Sequence, residues 1–243
     1  PLEYFAVPFL IKELREGNSV NCVYITDGSG DGINPDIRNR ESLSALSSIG
    51  ISKNNVIFLG SELRFKDSAV VNRCQDVLDA LSCFFKNSVF DKIYCPAWEG
   101  GHVDHDVVHL IALAFAKSRE PPITTWEFSL YHAYYMPKKL FRVMSLLKNS
   151  TPRDTEKITF LAAVKWAFLF RYYPSQWKTW LGLLPEAIIK IIFLRTAHIQ
   201  VASISRTFQR PHEGLLLYET RFGISYEEFE KYTKEFRYRH FQN

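Results

Sequence analysis

The chain lacks several features that would assign it to a large class of proteins at once. Its most apolar stretch, residues 177–194, is interrupted by charged residues and a proline, so no segment reaches the ~20 apolar residues that a spanning helix requires. The net charge is only +4 and the basic residues are scattered, without the concentrated cluster that a phosphate backbone requires. We therefore expect no transmembrane segment and no nucleic-acid partner.

Paired cysteine motifs are also absent. The four cysteines show no Cys-x-x-Cys spacing, and most of them lie in apolar segments typical of a protein core. Because disulfides belong mainly to oxidising compartments, this usage predicts reduced thiols and a cytoplasmic protein.

What the sequence does contain is a regular alternation of helix-like and strand-like segments in its first half. These segments are, in chain order, a helix ending at Gly17, a strand at 20–26, a helix capped by Asp36 and ending at Gly50, a strand at 56–59, a helix at 69–85 and a strand at 90–95. Strands that alternate with helices of this length predict a parallel sheet with right-handed crossovers. We expect a Rossmann-like, mostly parallel α/β fold flanked by helices.

The pattern becomes irregular and richer in aromatic residues beyond residue 118. A strand is predicted at 124–130, a helix at 157–170, another strand near 199–203 and a C-terminal helix that begins with a capping box at Ser225. No repeat or low-complexity linker divides the chain. We predict a single domain, in which residues 1–118 form the Rossmann-like half and residues 119–243 form an extension that completes the pocket.

Three histidines and two aspartates crowd into residues 101–109, where the third predicted strand gives way to a helix. Ligands and acid/base groups of open α/β folds collect beyond the carboxyl ends of such strands, and imidazole is the commonest zinc ligand. The glycine pair at 100–101 favours a loop up to His102 and a helix from about Asp104. We assign functions to His102 and His105, and expect His109 to be an ordinary hydrogen-bonded residue.

Residues 101–105, Gly-His-Val-Asp-His, resemble the Gly-His-x-Asp-His signature of the PIG-L/LmbE-like N-deacetylases. The chain is also similar to this family in a Thr-Asp-Gly turn at 26–28, an Arg-x-x-Glu helix at 38–41, and Lys157 followed by Ser-Gln at 175–176. The resemblance covers about residues 1–180. It implies a hydrolase that removes the acetyl group from an N-acetylated, N-acetylglucosamine-type sugar conjugate by means of zinc-activated water.

The same resemblance implies roles for individual residues. His105 matches a ligand of Zn²⁺ or another divalent metal. His102 matches the imidazole that stabilises the oxyanion and helps to protonate the leaving amine, with Asp104 orienting it and tuning its charge. Arg38 resembles a substrate-binding position, although an ion pair with Glu41 on the helix surface explains it equally well.

One part of the family pattern is missing. The first signature, His-Pro-Asp-Asp, would supply two metal ligands and the general base, and residues 1–243 do not contain it. Because the whole first strand is missing as well, we expect this signature immediately before Pro1. The alternative is that it has been lost, which would leave a non-catalytic carbohydrate-binding member of the family.

The aromatic residues between 166 and 180 leave a further alternative open. Aromatic runs at helical spacing usually fill a core, and we expect these residues to do so. Basic residues stand among them, so the chain could instead be a peripheral membrane protein or part of a complex. The side chains concerned are Trp166, Phe168, Phe170, Tyr172, Tyr173, Trp177 and Trp180, with Lys165, Arg171 and Lys178.

Overall fold

A computed structural model of the chain describes residues 3–137 and 140–242. These residues form two compact units, each made from two separate stretches of sequence. The first unit comprises the chain up to Asp67 together with Thr155–His198, and the second comprises Ser68–Asp154 together with the residues from Ile199 onward. The expected single domain, divided into residues 1–118 and 119–243, stays a prediction.

The first unit is mainly helical. Its elements are α1 (Glu3–Arg15), β1 (Cys22–Val23), α2 (Pro35–Ser48), β2 (Val56–Ile57), α3 (Leu59–Leu63), α6 (Phe160–Ala167) and α7 (Trp177–Ile189), the last of which continues into a π-helical turn at Lys190–Leu194. Strands β1 and β2 pair in parallel. The core contains the rings of Tyr4, Trp166 and Trp180, and the Trp166 indole donates a hydrogen bond of 2.7 Å to the Tyr4 carbonyl oxygen.

The second unit carries most of the sheet. Its elements are α4 (Cys74–Phe84), β3 (Lys92–Pro96), α5 (Val103–Lys117), β4 (Thr124–Phe128), β5 (Tyr131–His132), β6 (Arg142–Val143), α8 (Leu217–Arg221) and α9 (Tyr226–Phe241). Strands β7 (Arg153–Lys157) and β8 (Thr196–Val201) have residues in both units. The sheet order is β3-β4-β8-β7, with β4 parallel to β3 and antiparallel to β8. Helix α5 therefore connects two neighbouring parallel strands.

The mixed α/β class with parallel strand pairs is as predicted, while the boundaries of several elements differ; the strand predicted at 20–26, for example, covers only Cys22–Val23. Two of these differences have a clear local cause. Helix α2 is capped by Asn34 and not by Asp36. The Asn34 side chain accepts a hydrogen bond of 2.8 Å from the Asp36 amide. Pro35 takes the first helical position, because it has no N–H and its fixed φ suits that position. The helix predicted from residue 157 begins at Phe160, because Thr159 caps α6 and the preceding residues belong to β7.

Two further expectations concern cysteines and membrane spans. The four cysteines are free thiols, of which Cys74 and Cys95 are buried. Within residues 3–137 and 140–242, none of the helices combines the length and the apolar character needed to cross a bilayer.

Candidate functional site

The His102–His105 motif lies in the second unit, where the loop after β3 enters α5. His102 is the N-cap residue in extended conformation, and its Nδ1 atom accepts a hydrogen bond of 3.1 Å from the Asp104 amide. The helix begins at Val103, with Asp104 and Asp106 in its first turn, where carboxylates complement the helix dipole. The predicted loop up to His102, followed by a helix, is confirmed.

The two glycines of this loop are required by close packing. A Cβ atom on Gly101 would lie 2.2 Å from the Tyr131 carbonyl oxygen, so only glycine lets the two stretches of main chain approach each other. Gly100 has φ +72°, and a Cβ atom there would lie 2.6 Å from Leu216. The loop that presents His102 is therefore held tightly on both sides.

The buried carboxylate of Glu99 links this loop by hydrogen bonds to the residues after β4. It accepts hydrogen bonds from the Ser129 hydroxyl at 2.7 Å, the Leu130 amide at 2.7 Å and the Tyr131 amide at 2.9 Å. Burial raises the pKa of Glu99 to about 7, although these three donors favour its ionised form. Glu99 thus fixes the main chain on which Tyr131 stands.

Asp106 holds the same loop from the helix side. Its Oδ1 atom accepts hydrogen bonds from the amides of Glu99 at 3.2 Å and Gly100 at 3.3 Å. The side chain is fully buried, and burial raises its pKa well above the usual value for aspartate. The first turn of α5 therefore positions its own entry loop.

His105 lies one turn into the helix and is only 6% exposed. Among the described residues, its Nδ1 atom is buried without a hydrogen-bond partner. Burial, followed by the proximity of His102, lowers the pKa of His105 well below its usual range. The imidazole is consequently neutral, which is the form that ligates metals.

A complete metal site is not formed by the residues that the structure describes. In this part of the chain, no group of three His, Cys, Asp or Glu side chains could hold a metal ion. Catalytic zinc typically has three protein ligands. His105 has the protonation state and the unsatisfied nitrogen of a ligand, but the described residues do not fit a zinc ion by themselves.

His102 is partly open to solvent and stands beside His105. Their ring centroids are 5.1 Å apart, and the ring of Phe222 packs edge-on against His102 at 4.5 Å. The nearest carboxylate oxygen of Asp104 is 3.7 Å from His102 Nδ1 and accepts a hydrogen bond of 2.8 Å from the Ser68 amide. Because Nδ1 accepts from the Asp104 amide, the neutral ring carries its proton on Nε2, where it can donate to a bound group.

The structure adds residues that sequence reasoning did not identify. The Tyr131 ring packs against His105 with centroids 5.5 Å apart, and the Arg221 guanidinium lies 4.7 Å from the ring centre of Phe141, which itself packs against Tyr131. These residues come from separate segments that carry no recognisable motif. Only the tertiary fold brings Tyr131 beside His105 and places the other two residues behind it.

His109 behaves as expected for a core residue. It is fully buried, and its Nδ1 atom lies 2.9 Å from the Pro96 carbonyl oxygen and 3.4 Å from the Glu127 carboxylate. It helps to join α5 to the ends of β3 and β4.

Arg38 belongs to the first unit, where it stands on α2. A Cβ atom on Gly28 would lie 3.4 Å from the Arg38 side chain, so the arginine packs against the Thr-Asp-Gly turn. The Glu41 carboxylate accepts hydrogen bonds from the Ser175 amide at 2.8 Å and the Ser175 hydroxyl at 2.6 Å. Two motifs that the sequence singled out separately, Arg-x-x-Glu and Ser-Gln, therefore meet through Glu41 and Ser175.

Comparison with known proteins gives the family. Residues 2–116, which include the loop and the histidines, match the family model described as PIG-L: GlcNAc-PI de-N-acetylase. The chain contains a PIG-L family domain. No curated protein matches the chain.

Solved structures share the fold of this chain at low sequence identity. The A40926 pseudoaglycone deacetylase Dbv21 has a TM-score of 0.56 and 13% identity, over 80% of this chain and 88% of its own. A triple mutant of a deacetylase of teicoplanin biosynthesis has the same TM-score and identity, over 81% of this chain and 92% of its own. The zinc-inhibited form of teicoplanin deacetylase Orf2 has a TM-score of 0.56 and 11% identity, with the same coverage. The likeness extends well beyond the residues that the family model matches.

Proposed function

We propose that the PIG-L domain of this chain is an N-deacetylase that acts on an N-acetylated sugar conjugate. The observation that carries the proposal is the tightly packed loop between β3 and α5, after which His102 and His105 lie side by side. This loop lies within the region that the family model matches. In the proposed reaction, water adds to the amide carbonyl carbon and the carbon–nitrogen bond breaks. The products are acetate and the free amino sugar.

His102 is proposed to stabilise the negative charge that develops on the carbonyl oxygen. Its Nδ1 atom accepts from the Asp104 amide, which leaves the Nε2–H group to donate toward the oxyanion. To protonate the leaving amine, the ring must first become imidazolium. Nδ1–H then turns from the Asp104 amide toward the Asp104 carboxylate, 3.7 Å away, which favours the charged ring.

We also propose that the deacetylase activity depends on a divalent metal ion. His105 would be one ligand of a divalent cation, zinc in the prediction from sequence, and would need further ligands, because the described residues contain no group of three donors. Such a cation would supply a water molecule of lowered pKa at neutral pH. Because zinc is named as an inhibitor of the teicoplanin deacetylase Orf2, zinc should be compared with manganese, cobalt and magnesium.

Arg38 is proposed to contact the substrate. Its replacement by methionine, which keeps most of the apolar packing against Gly28, should raise KM and leave kcat nearly unchanged. A lowered kcat with unchanged KM would contradict a purely binding role.

The test of the proposed function is acetate release from N-acetylglucosamine conjugates by the native protein loaded with each cation. We expect release in wild type and strong losses in His102→Ala and His105→Ala. The second candidate is a carbohydrate-binding protein without catalysis, which is favoured by the lack of a three-donor group among the described residues. Conjugate binding, measured by calorimetry, without acetate release under any cation would establish that candidate instead.

A further inference from the structure

Helix α7 in the first unit carries apolar side chains on two adjacent faces. One face is buried in the unit and contains Trp180, Leu183 and Ala187. The other face carries Trp177, Leu181, Leu184, Pro185 and Ile188, which recur at helical spacing along its outer side. Large apolar side chains that are exposed and clustered on one helix face are unusual unless they contact a partner, so the outer face of α7 calls for an explanation.

The outer face borders an open groove of about 450 Å³ between α7 and residues 170–174. Trp177 is 57% exposed and Leu181 is 69% exposed at this groove. The expectation that the aromatic run fills the core is therefore met only in part, since Trp166, Tyr173 and Trp180 are buried whereas Phe168 and Trp177 are not.

Neighbouring elements of the same unit extend this apolar surface. Helix α6 and the π-helical turn at Lys190–Leu194 pack on each other, and both carry exposed apolar side chains. Those side chains are Phe160, Leu161, Phe168, Phe193 and Leu194, and Ile189 at the end of α7 is exposed as well. We call the outer side of these elements and of α7 the α6–α7 surface. Clustered exposed apolar groups of this kind mark interaction sites.

The charge of the same segment is strongly positive. Residues 157–195 contain six basic residues and one acidic residue, so their charge of +5 exceeds the +4 of the whole chain. The one acidic residue, Glu186, pairs with Lys190 at 2.7 Å. The exposed cations are Lys157, Lys165, Arg171, Lys178 and Arg195.

We propose that the α6–α7 surface docks the protein onto a bilayer that contains anionic lipids. Tryptophan, phenylalanine and leucine on a helical surface flanked by lysine and arginine are the composition of interfacial membrane-binding helices. A second copy of this chain is a poorer occupant, because two surfaces of charge +5 repel each other. The surface lies on the membrane and does not cross it.

Vesicle flotation of the 243-residue chain tests the proposal. Vesicles of phosphatidylcholine with about one third phosphatidylglycerol should carry the protein upward, and pure phosphatidylcholine vesicles should carry much less. Replacing Lys165 or Lys178 by glutamine should weaken binding to the anionic vesicles roughly five-fold each. Raising the salt concentration to about 0.5 M should weaken it further, because the Debye length shortens.

Apolar variants separate docking from simple charge attraction. Trp177→Ser and Leu181→Ser should lose most of the binding, whereas Phe84→Ser and Val89→Ser, exposed apolar positions of the second unit, should keep it. Equal melting temperatures establish that each variant is folded. Trp177→Phe should keep the binding but abolish most of the quenching of tryptophan fluorescence by brominated lipids, since Trp98, Trp166 and Trp180 are buried and Trp126, which is half-buried, lies in the second unit.

Three results would overturn the proposal. The first is no flotation of wild type with anionic vesicles, and the second is unchanged flotation of both serine variants. The third is a dimer, found by size-exclusion chromatography with light scattering, that Leu181→Ser dissociates while vesicle binding is absent.

Discussion

The main-chain amide of Asp104 donates a hydrogen bond to Nδ1 of His102 and so helps to orient the imidazole. Its Nδ1 atom accepts from the Asp104 amide as an N-cap contact, so the residue starts α5 and its neutral ring carries the proton on Nε2. Two substitutions separate these roles. Asparagine is among the best N-cap residues but has no donor at the position of Nε2, whereas alanine has neither property.

We predict that His102→Asn and His102→Ala both lower kcat of the native enzyme by ~10²–10³, with KM nearly unchanged, because an oxyanion donor acts mainly in the transition state. Only the alanine variant should also lose stability, by about 1 kcal/mol, since it loses the cap. Steady-state kinetics and urea unfolding measure the two effects. Normal kcat with raised KM in either variant would show that His102 only positions substrate.

Glu99 is a second residue whose role can be isolated. Its pKa is raised by burial from 4.5 to about 7, so the folded state binds a proton more tightly than the unfolded state. The contribution of Glu99 to the free energy of unfolding is fully present below pH 4.5 and is lost as the pH rises through about 7. The acidic groups that face it are Asp106 and Glu127.

We predict that Glu99→Gln removes the contribution of Glu99 to the pH dependence of the free energy of unfolding. That contribution is about 3 kcal/mol between pH 4.5 and 7. Glutamine keeps an oxygen that can accept from the Leu130 and Tyr131 amides, whereas Glu99→Ala leaves these donors unsatisfied and should destabilise at every pH. Urea unfolding at pH 5 and pH 7.5 provides the comparison. An unchanged pH dependence in the glutamine variant would refute the assignment.

At the scale of elements, the entry loop of α5 depends on a contact that only glycine permits. In Gly101→Ala the new methyl group would meet the Tyr131 carbonyl oxygen at 2.2 Å, so the loop or the start of β5 must move. Gly17→Ala is a suitable control, because nothing lies within 4 Å of the added atom and only the φ of +83° is unfavourable. That strain costs about 1–2 kcal/mol.

We predict that Gly101→Ala destabilises the protein by more than Gly17→Ala does and also lowers activity, because His102 follows it directly. Thermal unfolding and acetate release would be measured for both variants. An alanine at position 101 that is tolerated as well as one at position 17 would show that the loop is free to adjust.

The elements that sequence reasoning located are those with local signals. The start of α5 was predictable because a glycine pair precedes a histidine cap and two aspartates in the first turn, and Ser225 likewise caps α9. Helix α7 carried no such signal, since its N-cap residue Gln176 makes no side-chain cap hydrogen bond and Pro185 lies inside the helix. Strands of two residues, such as β5, are set by their partners and not by their own sequence.

The same limit applies to the candidate site. His102, Asp104 and His105 lie within one motif, so the sequence could single them out. Tyr131 and Phe222 reach the histidines from other segments and have no motif of their own. Glu99 also escaped notice, because its importance lies in the main-chain groups that it binds after β4.

At the scale of the whole molecule, the open question is how the metal site is completed. His105 offers a neutral imidazole with a buried, unpartnered Nδ1 atom, yet the described residues contain no group of three donors. A single imidazole without two further protein ligands holds zinc weakly. A polypeptide limited to residues 1–243 should therefore retain far less than one zinc per chain after dialysis and should release no acetate.

We predict a different outcome for a protein in which a His-Pro-Asp-Asp segment precedes residue 1. Its histidine and second aspartate should complete a three-ligand site with His105, and its first aspartate should act as the base, which must stay off the metal but within ~2.6–3.2 Å of the attacking water. Such a protein should retain about one zinc per chain by elemental analysis. His105→Ala should empty this site and His102→Ala should not, because His102 Nδ1 is engaged by the Asp104 amide and Nε2 carries the proton. Equal metal loss in the two variants, or acetate release by residues 1–243 alone, would overturn this division of roles.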